Sequence, residues 1–304
     1  MWYPPGVCTR TNTFFIYINY FHLCSDFFEF NLFVDDANLF SRQKSIAILQ
    51  TSINQELVNI HDWLCANKLS LNIELCSFSS STTENNFKLN INDKYLRQEN
   101  YIKYLGIFID STLSWKPQIG YIIKIIKRSI GILSKLRYYV NINVLTKLYY
   151  ALIYPFLIYG ILIWGNTYPT TIQPLFVLQK KTMRIITFSK FDEHSSPPFK
   201  QLKIIGIFYL ITLHMAIFMY KFHNQFLPPI FHNLFIPVDK VHRYNTRLAA
   251  KKSYYLPCAR TNYGLFNIRF QGTNVWNTIE EDNIKCSSLK EFKLKLKNNF
   301  IAGY

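Results

Sequence analysis

The sequence predicts an α+β fold in which a small antiparallel sheet with a helix comes first, a helical block follows, and a small basic region ends the chain. Apolar residues alternate with polar ones in several segments before residue 111, as in half-buried strands. Spacings of three and four take over from Gln118 onward, as in amphipathic helices. Charge changes along the chain too, from an acidic first part to a strongly basic second part. The predicted regions are residues 1–113, 114–236 and 237–304.

The first well-defined element is a predicted hairpin. Alternating apolar residues run from Phe28 to Val34 and resume from Ala37 to Leu39, with Asp35 and Asp36 between the two runs. Short polar side chains suit a turn and are rare inside strands. Two carboxylates at a hairpin tip can bind hard divalent cations through oxygen. Taken alone, however, this short motif is more typical of a plain solvated turn.

The later elements follow from the same two periodicities. Strands are predicted where apolar residues alternate, and helices where they recur at three and four. The predicted segments, in order, are a helix over Ser41–Asn67, short antiparallel strands over Phe87–Ile91 and Tyr101–Asp110, helices over Gln118–Arg137, Val144–Trp164 (bent or broken near Pro155), Leu175–Thr187 and Lys200–Phe222, and an amphipathic run from Leu289 to Phe300.

The net charge of +16 is unevenly distributed. Residues 1–110 carry 8 Lys and Arg against 11 Asp and Glu, whereas residues 111–279 carry 21 against 3. No acidic side chain occurs from Ser111 to Phe191. A long region of one sign indicates a polyanionic partner or an anionic membrane surface. Nucleic acid is favoured because Tyr and Trp are interleaved with these cations.

Cysteines and the N-terminal residues restrict the class of protein. The six cysteines show no CxxC and no zinc-finger spacing, which is typical of reduced intracellular thiols. The pair His61 and Cys65 lacks a second pair nearby and is interpreted as packing residues. Residues 1–10 lack the features of a signal peptide, so the expected location is the cytoplasm or the nucleus.

Two apolar segments leave a membrane protein as an alternative. Leu148–Gln179 contains no charged residue, and Ile204–Tyr220 is interrupted only by His214. A central Pro155 and the polar cluster Gly165–Thr171 are unfavourable in lipid. Core helices of a soluble protein, and no membrane partner, are therefore the expectation.

Several short motifs follow one another along the chain. They are Phe33-Val34-Asp35-Asp36, Asp62–Leu64 with Asn67–Asn72, Tyr104–Asp110 with Trp115, Tyr154-Pro155 with Tyr159–Gly165, Tyr244–Arg247, Arg260–Gly264 and Val275–Asn277. Together they resemble the C-terminal part of a reverse transcriptase from a jockey-like non-LTR retrotransposon. The resemblance implies a truncated polymerase palm followed by a helical thumb, and it outweighs the interpretation of Asp35-Asp36 as a plain turn.

The implied activity is RNA-templated DNA synthesis by two-metal nucleotidyl transfer, with Mg²⁺ as cofactor and an RNA template, a DNA primer and dNTP as partners. The resemblance makes Asp35 and Asp36 the catalytic metal ligands. It makes Tyr104, Leu105 and Gly106 the hairpin that supports the primer. Phosphate contacts with the template–primer are implied for Lys116, Lys124, Lys127, Arg128, Lys135 and Arg137, although each cation alone is at least as typical of a solvated helix face.

The sequence departs from the family pattern in three places. Only 34 residues precede Asp35, so the upstream palm aspartate and the fingers that the resemblance implies are expected to be absent from these residues. Gly6–Asn12 stands in place of a loop of which it keeps only the first two residues. Leu75 occupies the place of a lysine that is a plausible proton donor. One Asp-Asp hairpin does not assemble a two-metal site, so the expectation is an incomplete fragment that is inactive alone.

Three hypotheses remain open on the sequence. The chain is a polymerase fragment, a nucleic-acid-binding remnant without chemistry, or a membrane protein with two apolar spans. The missing segments are also expected to leave apolar sheet surface uncovered on the N-terminal side, which predicts poor solubility.

Overall fold

The computed structural model describes residues 18–33, 36–73, 76–80, 87–190, 193–194, 196–241 and 253–304. These residues form two compact units. The first comprises the described residues up to Lys103 together with Asp110–Thr112, and the second comprises Tyr104–Ile109 and the described residues from Leu113 onward.

The predicted hairpin is confirmed in the first unit. Strands β1 (Glu29–Phe33) and β2 (Asp36–Phe40) pair antiparallel, with Phe33 opposite Asp36. Phe30 and Leu32 point to the core of the unit, and their neighbours in β1 are exposed, as the alternation predicted. Val34 and Asp35, which separate the strands in sequence, lie outside the described residues.

One long helix shares a hydrophobic core with this hairpin. Helix α1 spans Ile46–Ala66 and buries residues at the predicted spacing of three and four, namely Ile53, Leu57, Ile60 and Leu64. Aromatic rings complete the core, because Phe21 contacts Phe30 at a centroid distance of 5.2 Å and Trp63 at 5.1 Å. The amide of Asn54 fixes a neighbouring segment, since its oxygen accepts a hydrogen bond from the N–H of Asn90 at 3.0 Å.

Short strands complete the β structure. β4 (Asn90–Ile91) and β5 (Lys94–Tyr95) pair antiparallel around a turn at Asn92-Asp93. β3 (Ser77–Phe78) and β6 (Arg97–Gln98) pair in parallel, which the sequence did not predict. β7 (Tyr101–Tyr104) and β8 (Ile107–Asp110) form a further two-stranded sheet.

The second unit is helical. Its helices are α2 (Lys116–Leu136), α3 (Ile142–Leu152), α4 (Tyr154–Ile158), α5 (Ile161–Trp164), α6 (Pro169–Thr187), α7 (Ser196–Leu202), α8 (Ile207–His223), α9 (Val238–Val241), α10 (Asn262–Phe266), α11 (Ile268–Thr278), α12 (Glu281–Ile284) and α13 (Leu289–Ala302).

Two predicted helices are broken in the structure. The segment predicted as a helix bent or broken near Pro155 is three helices. Pro155, which lacks a backbone N–H, lies at the first break, as predicted, and Gly160, with a left-handed φ of +62°, lies at a second break that was not predicted. The segment predicted over Lys200–Phe222 is α7 and α8. In the described part of the chain, no helix alone has the length and apolarity for a membrane span, but α7 and α8, bent by 47°, pass that test as a pair.

A single core holds the second unit together. Tyr149, Trp164, Trp276 and Phe292 are all fully buried in it. The last two come from the region that the sequence placed separately, at residues 237–304. Their helices α11 and α13 have apolar faces that pack on α8, so these described residues share the core of the preceding helices.

Candidate nucleic-acid interface

The predicted metal ligands are only partly described. Asp36 is the exposed first residue of β2, and Asp35 lies outside the described residues. Within the ranges that the structure describes, no three His, Cys, Asp or Glu side chains come together in a way that could hold a metal ion. The described oxygen donors therefore do not form a ligand set for Mg²⁺.

The predicted primer-supporting residues form the tip of the β7–β8 hairpin. Leu105 and Gly106 have φ values of +45° and +81°, and they connect Tyr104 to Ile107 as a two-residue loop. Hairpin turns of this length take left-handed residues because their twist matches that of the strands. Glycine adopts this conformation freely, whereas Leu105 does so at a cost.

Tyr159 holds this tip in place. Its hydroxyl donates a hydrogen bond to the carbonyl oxygen of Leu105 at 2.5 Å. The same ring lies alongside Gly106, where a Cβ atom would be 3.5 Å from Cε1 of Tyr159. The carbonyl of Leu105, whose backbone is strained, is thus held by a hydrogen bond. The hairpin tip is positioned by a residue from the α4–α5 junction.

Gly160 allows Tyr159 to reach the hairpin. A Cβ atom at Gly160 would overlap Cδ1 of Ile107, so a larger residue would force the end of that side chain to move. Its φ of +62° independently favours glycine. Sequence reasoning assigned Tyr159 and Gly160 to the thumb and missed this contact. In the sequence, a Tyr-Gly pair between two helical segments indicates a helix break, but it does not indicate which segment the tyrosine contacts.

Helix α2 is attached to the same hairpin. Gln118 is 2% exposed, and its side-chain oxygen accepts a hydrogen bond from the N–H of Phe108 at 3.0 Å. The rings of Phe108 and Tyr121 meet edge to face at 5.2 Å. The hairpin tip and the first turns of α2 are therefore connected within the second unit.

The exposed side of α2 is a cationic face. Five of the six predicted cations are exposed on this helix: Lys116, Lys124, Lys127, Arg128 and Lys135. The opposite side is buried and apolar, through Ile119, Ile122, Ile126, Ile130 and Leu133. None of the ion pairs found among the described residues involves these five cations. The face is therefore positive and not neutralised by described carboxylates.

Two rows on this face share one pattern of lysine, glycine and lysine at spacings of four. They are Lys116, Gly120 and Lys124, and Lys127, Gly131 and Lys135. A spacing of four places residues one above another on a helix. No neighbouring atom lies within 4 Å of a Cβ built at Gly120 or Gly131. Each glycine destabilises the helix by about 1 kcal/mol relative to alanine, and packing gives no reason for it.

Arg137 differs from the other five cations. Its guanidinium lies 4.8 Å from the ring centroid of Phe188 and 5.6 Å from that of Tyr138. Its Nε atom is buried and has no hydrogen-bond partner among the described residues. Arg137 therefore packs against aromatic rings at the end of α2. Beside it, Tyr138 and Tyr139 are 79% and 84% exposed, so two unburied rings follow the cationic face.

Comparison with known proteins indicates a class. The chain is similar to an RNA-directed DNA polymerase of a mobile element. The relative is the protein named RNA-directed DNA polymerase from mobile element jockey, of Drosophila melanogaster, with 23% identity over 160 residues. The match covers 51% of this chain and 18% of the relative. No protein-family model matches the chain, and no solved structure matches it.

Proposed function

We propose that this chain is the template- and primer-holding part of an RNA-directed DNA polymerase of a jockey-like mobile element. In this proposal the first unit belongs to the palm and the helices of the second unit to the thumb. The similarity to the jockey polymerase supports the class. The single observation that carries the holding role is the cationic face of α2, whose five exposed cations have no described acidic partner.

The cationic face would bind the phosphate backbone. Lysine and arginine bind nucleic acid mainly by displacing condensed counterions, so the affinity falls as salt rises. Each phosphate contact contributes about 0.9 to the slope of log K against log salt on duplex, and five contacts give roughly 4.5. The open spaces at Gly120 and Gly131 would let a sugar–phosphate backbone approach the helix between the lysines.

The hairpin tip would place the primer end. Leu105 and Gly106 expose backbone at the turn, and Gly106 adds no side chain that would keep a strand away. Because Gln118 and Tyr121 join the hairpin to α2, the primer contact and the phosphate contacts would act as one surface.

Asp35 and Asp36 remain the proposed metal ligands of the intact polymerase. Two adjacent carboxylates on one hairpin do not complete a two-metal site, since such sites take ligands from several elements. We therefore propose that the chain binds a template–primer but does not extend it by itself.

The test is primer extension on an RNA template with Mg²⁺ and dNTP, with binding recorded in the same reactions. The parent is compared with Asp35→Ala and with a matched control, Asp93→Ala, which removes a carboxylate from the β4–β5 turn. We expect no extension and equal, salt-sensitive binding by all three proteins. Extension by the parent and the control, lost in Asp35→Ala, would overturn the non-catalytic role. Absence of binding by the parent would overturn the holding role.

A further inference from the structure

The turn that ends α2 carries two exposed aromatic rings. Tyr138 and Tyr139 are 79% and 84% exposed, although burial of a tyrosine ring would stabilise the fold. Single exposed apolar residues are common on protein surfaces, whereas neighbouring exposed rings are typical of binding surfaces. These two residues are called the tyrosine pair below.

Backbone hydrogen bonds fix the tyrosine pair at the end of the helix. The N–H of Tyr139 donates to the carbonyl oxygen of Leu136 at 2.9 Å, and the N–H of Val140 donates to the same oxygen at 3.1 Å. The backbone of Arg137 also has helical φ and ψ values. The helical winding therefore continues beyond Leu136, and the tyrosine pair lies on a structured turn.

The tyrosine pair continues the cationic face of α2. Tyr139 is four residues after Lys135, the last member of the row Lys127, Gly131 and Lys135. Tyr138 is three residues after Lys135. Residues three and four apart lie on the same side of a helix. The row of lysine, glycine and lysine is thus followed, on its own side, by two aromatic rings.

A cation–π contact restrains the first of these rings. The guanidinium of Arg137 lies 5.6 Å from the ring centroid of Tyr138 and 4.8 Å from that of Phe188, the residue after α6. Both distances are within the range of cation–π attraction. Because Tyr138 remains largely exposed, this contact restrains the ring and leaves most of its surface open to a partner.

The charge around the tyrosine pair favours nucleic acid as the partner. No acidic side chain occurs from Ser111 to Phe191, and the lysines of the cationic face come directly before the pair. A positive surface with open aromatic rings suits a polyanion that carries flat apolar groups, as nucleic acid does. In the interior of a duplex both faces of each base are covered by neighbouring bases. Unpaired bases are therefore the groups that can stack on these rings.

We infer that Tyr138 and Tyr139 form a stacking site for unpaired bases, in a single-stranded segment of the nucleic acid whose phosphates bind the cationic face. The choice of nucleic acid rests on the proposed function. The tyrosine pair adds contacts with bases to the contacts with phosphate. Stacking accepts every base, so the site binds single strands without sequence preference. Stacking releases no counterions, so its contribution to binding changes little with salt.

The test compares two substrates and three variants. The substrates are a blunt RNA–DNA duplex and the same duplex with a single-stranded RNA extension of roughly eight nucleotides. Tyr138→Ala/Tyr139→Ala removes both rings, and Tyr138→Phe/Tyr139→Phe keeps the rings without their hydroxyls. Tyr95→Ala is the matched control, because it removes an exposed ring that also contacts a cation, with Nζ of Lys88 5.9 Å from its centroid.

We expect the alanine double variant to bind the extended substrate at least about fivefold more weakly than the parent, with an unchanged slope of log K against log salt. Its affinity for the blunt duplex should stay within about twofold of that of the parent. The phenylalanine double variant and Tyr95→Ala should bind both substrates like the parent. A fluorescent purine analogue in the extension should be quenched on binding to the parent and not on binding to the alanine double variant.

Three results would overturn the inference: unchanged affinity of the alanine double variant for the extended substrate, an equal loss on the blunt duplex, or an equal loss in Tyr95→Ala. Circular dichroism checks that every variant is folded. Lys124→Gln/Lys127→Gln reports separately on the cationic face. If that variant binds like the parent while the alanine double variant is weak on the extended substrate, the proposed role of α2 fails and the stacking site stands. A parent that binds neither substrate overturns both.

Discussion

The hydroxyl of Tyr159 donates a hydrogen bond to the carbonyl of Leu105 across 54 positions of sequence. Leu105 has a left-handed backbone that leucine rarely adopts, and its carbonyl is held by a side chain from a different part of the second unit. Conformational strain at a hairpin tip persists only when surrounding contacts fix it. This hydrogen bond is one such contact, and it makes the geometry of the tip depend on the α4–α5 junction.

Replacing Tyr159 with phenylalanine tests that dependence. Tyr159→Phe removes the donor and keeps the ring beside Gly106, so the free energy of unfolding should fall by about 1 kcal/mol. Urea denaturation measures it. Tyr138→Phe, which removes an exposed hydroxyl at the end of α2, is the control and should change stability by less than about 0.5 kcal/mol. Equal effects in the two variants would mean that the tip is held by other contacts.

Gly160→Ala should be more damaging. The added methyl group would overlap Cδ1 of Ile107, and the positive φ adds about 1 kcal/mol of strain. We expect a loss of about 1–2 kcal/mol in unfolding free energy, the part above about 1 kcal/mol coming from movement of the Ile107 side chain. Adding Ile107→Val deletes the clashing atom and should recover part of the loss. A double-mutant cycle measures this coupling, and strict additivity would show that the clash is relieved in another way.

Gly131→Ala should separate stability from binding. The site of the new methyl group is open, so the substitution should stabilise the helix by about 0.5–1 kcal/mol. If a nucleic-acid backbone lies against the lysine–glycine–lysine rows, the same methyl group should weaken binding. Thermal unfolding and duplex affinity are measured together, with Ser134→Ala as a control on the same helix. Higher stability with unchanged affinity would show that Gly131 is not part of the nucleic-acid interface.

Alkaline pH should destabilise the second unit through Tyr254. Burial, followed by the charge of Asp239, raises the pKa of this hydroxyl to about 12. A raised pKa means that the folded state holds the proton more tightly than the unfolded state does. The protonated Tyr254 hydroxyl therefore stabilises the fold fully below pH 10, and this stabilisation is lost between pH 10 and 12. Melting temperatures at pH 9 and pH 11 should show this fall, reduced in Tyr254→Phe. That variant also loses the hydrogen bond between Tyr254 and Nδ1 of His223 at both pH values, so the diagnostic is the difference between the two pH values.

The local elements were predictable because their signals are local. The period of two located β1 and β2, and spacings of three and four located α1 and α2 to within a few residues. The cations of the α2 face follow from the same helical spacing. Side-chain direction on a regular helix is fixed by residue number, so exposure of Lys124 and Lys127 required no tertiary information.

Contacts between distant segments were not predictable in the same way. The hydrogen bond from Tyr159 to Leu105 and the parallel pairing of β3 with β6 join segments whose own sequences carry no trace of the partner. Arg137 carries the same charge as the cations that precede it in sequence. Only its contact with the ring of Phe188, a residue distant in sequence, distinguishes it from them. The burial of Trp276 likewise depends on the face that α8 presents, which the periodicity of α11 does not encode.

The stacking of Phe292 on Tyr220 has a consequence for shortened forms of this protein. A premature stop codon before Ser288 would remove α13 and expose the faces of Tyr220 and Tyr209 together with the buried residues beneath them. Such a truncation would act as a folding defect in the middle of the chain and not as the loss of a dispensable appendage. Protease digestion would detect it, because a helix stripped of its packing partner becomes accessible to cleavage far from the new end.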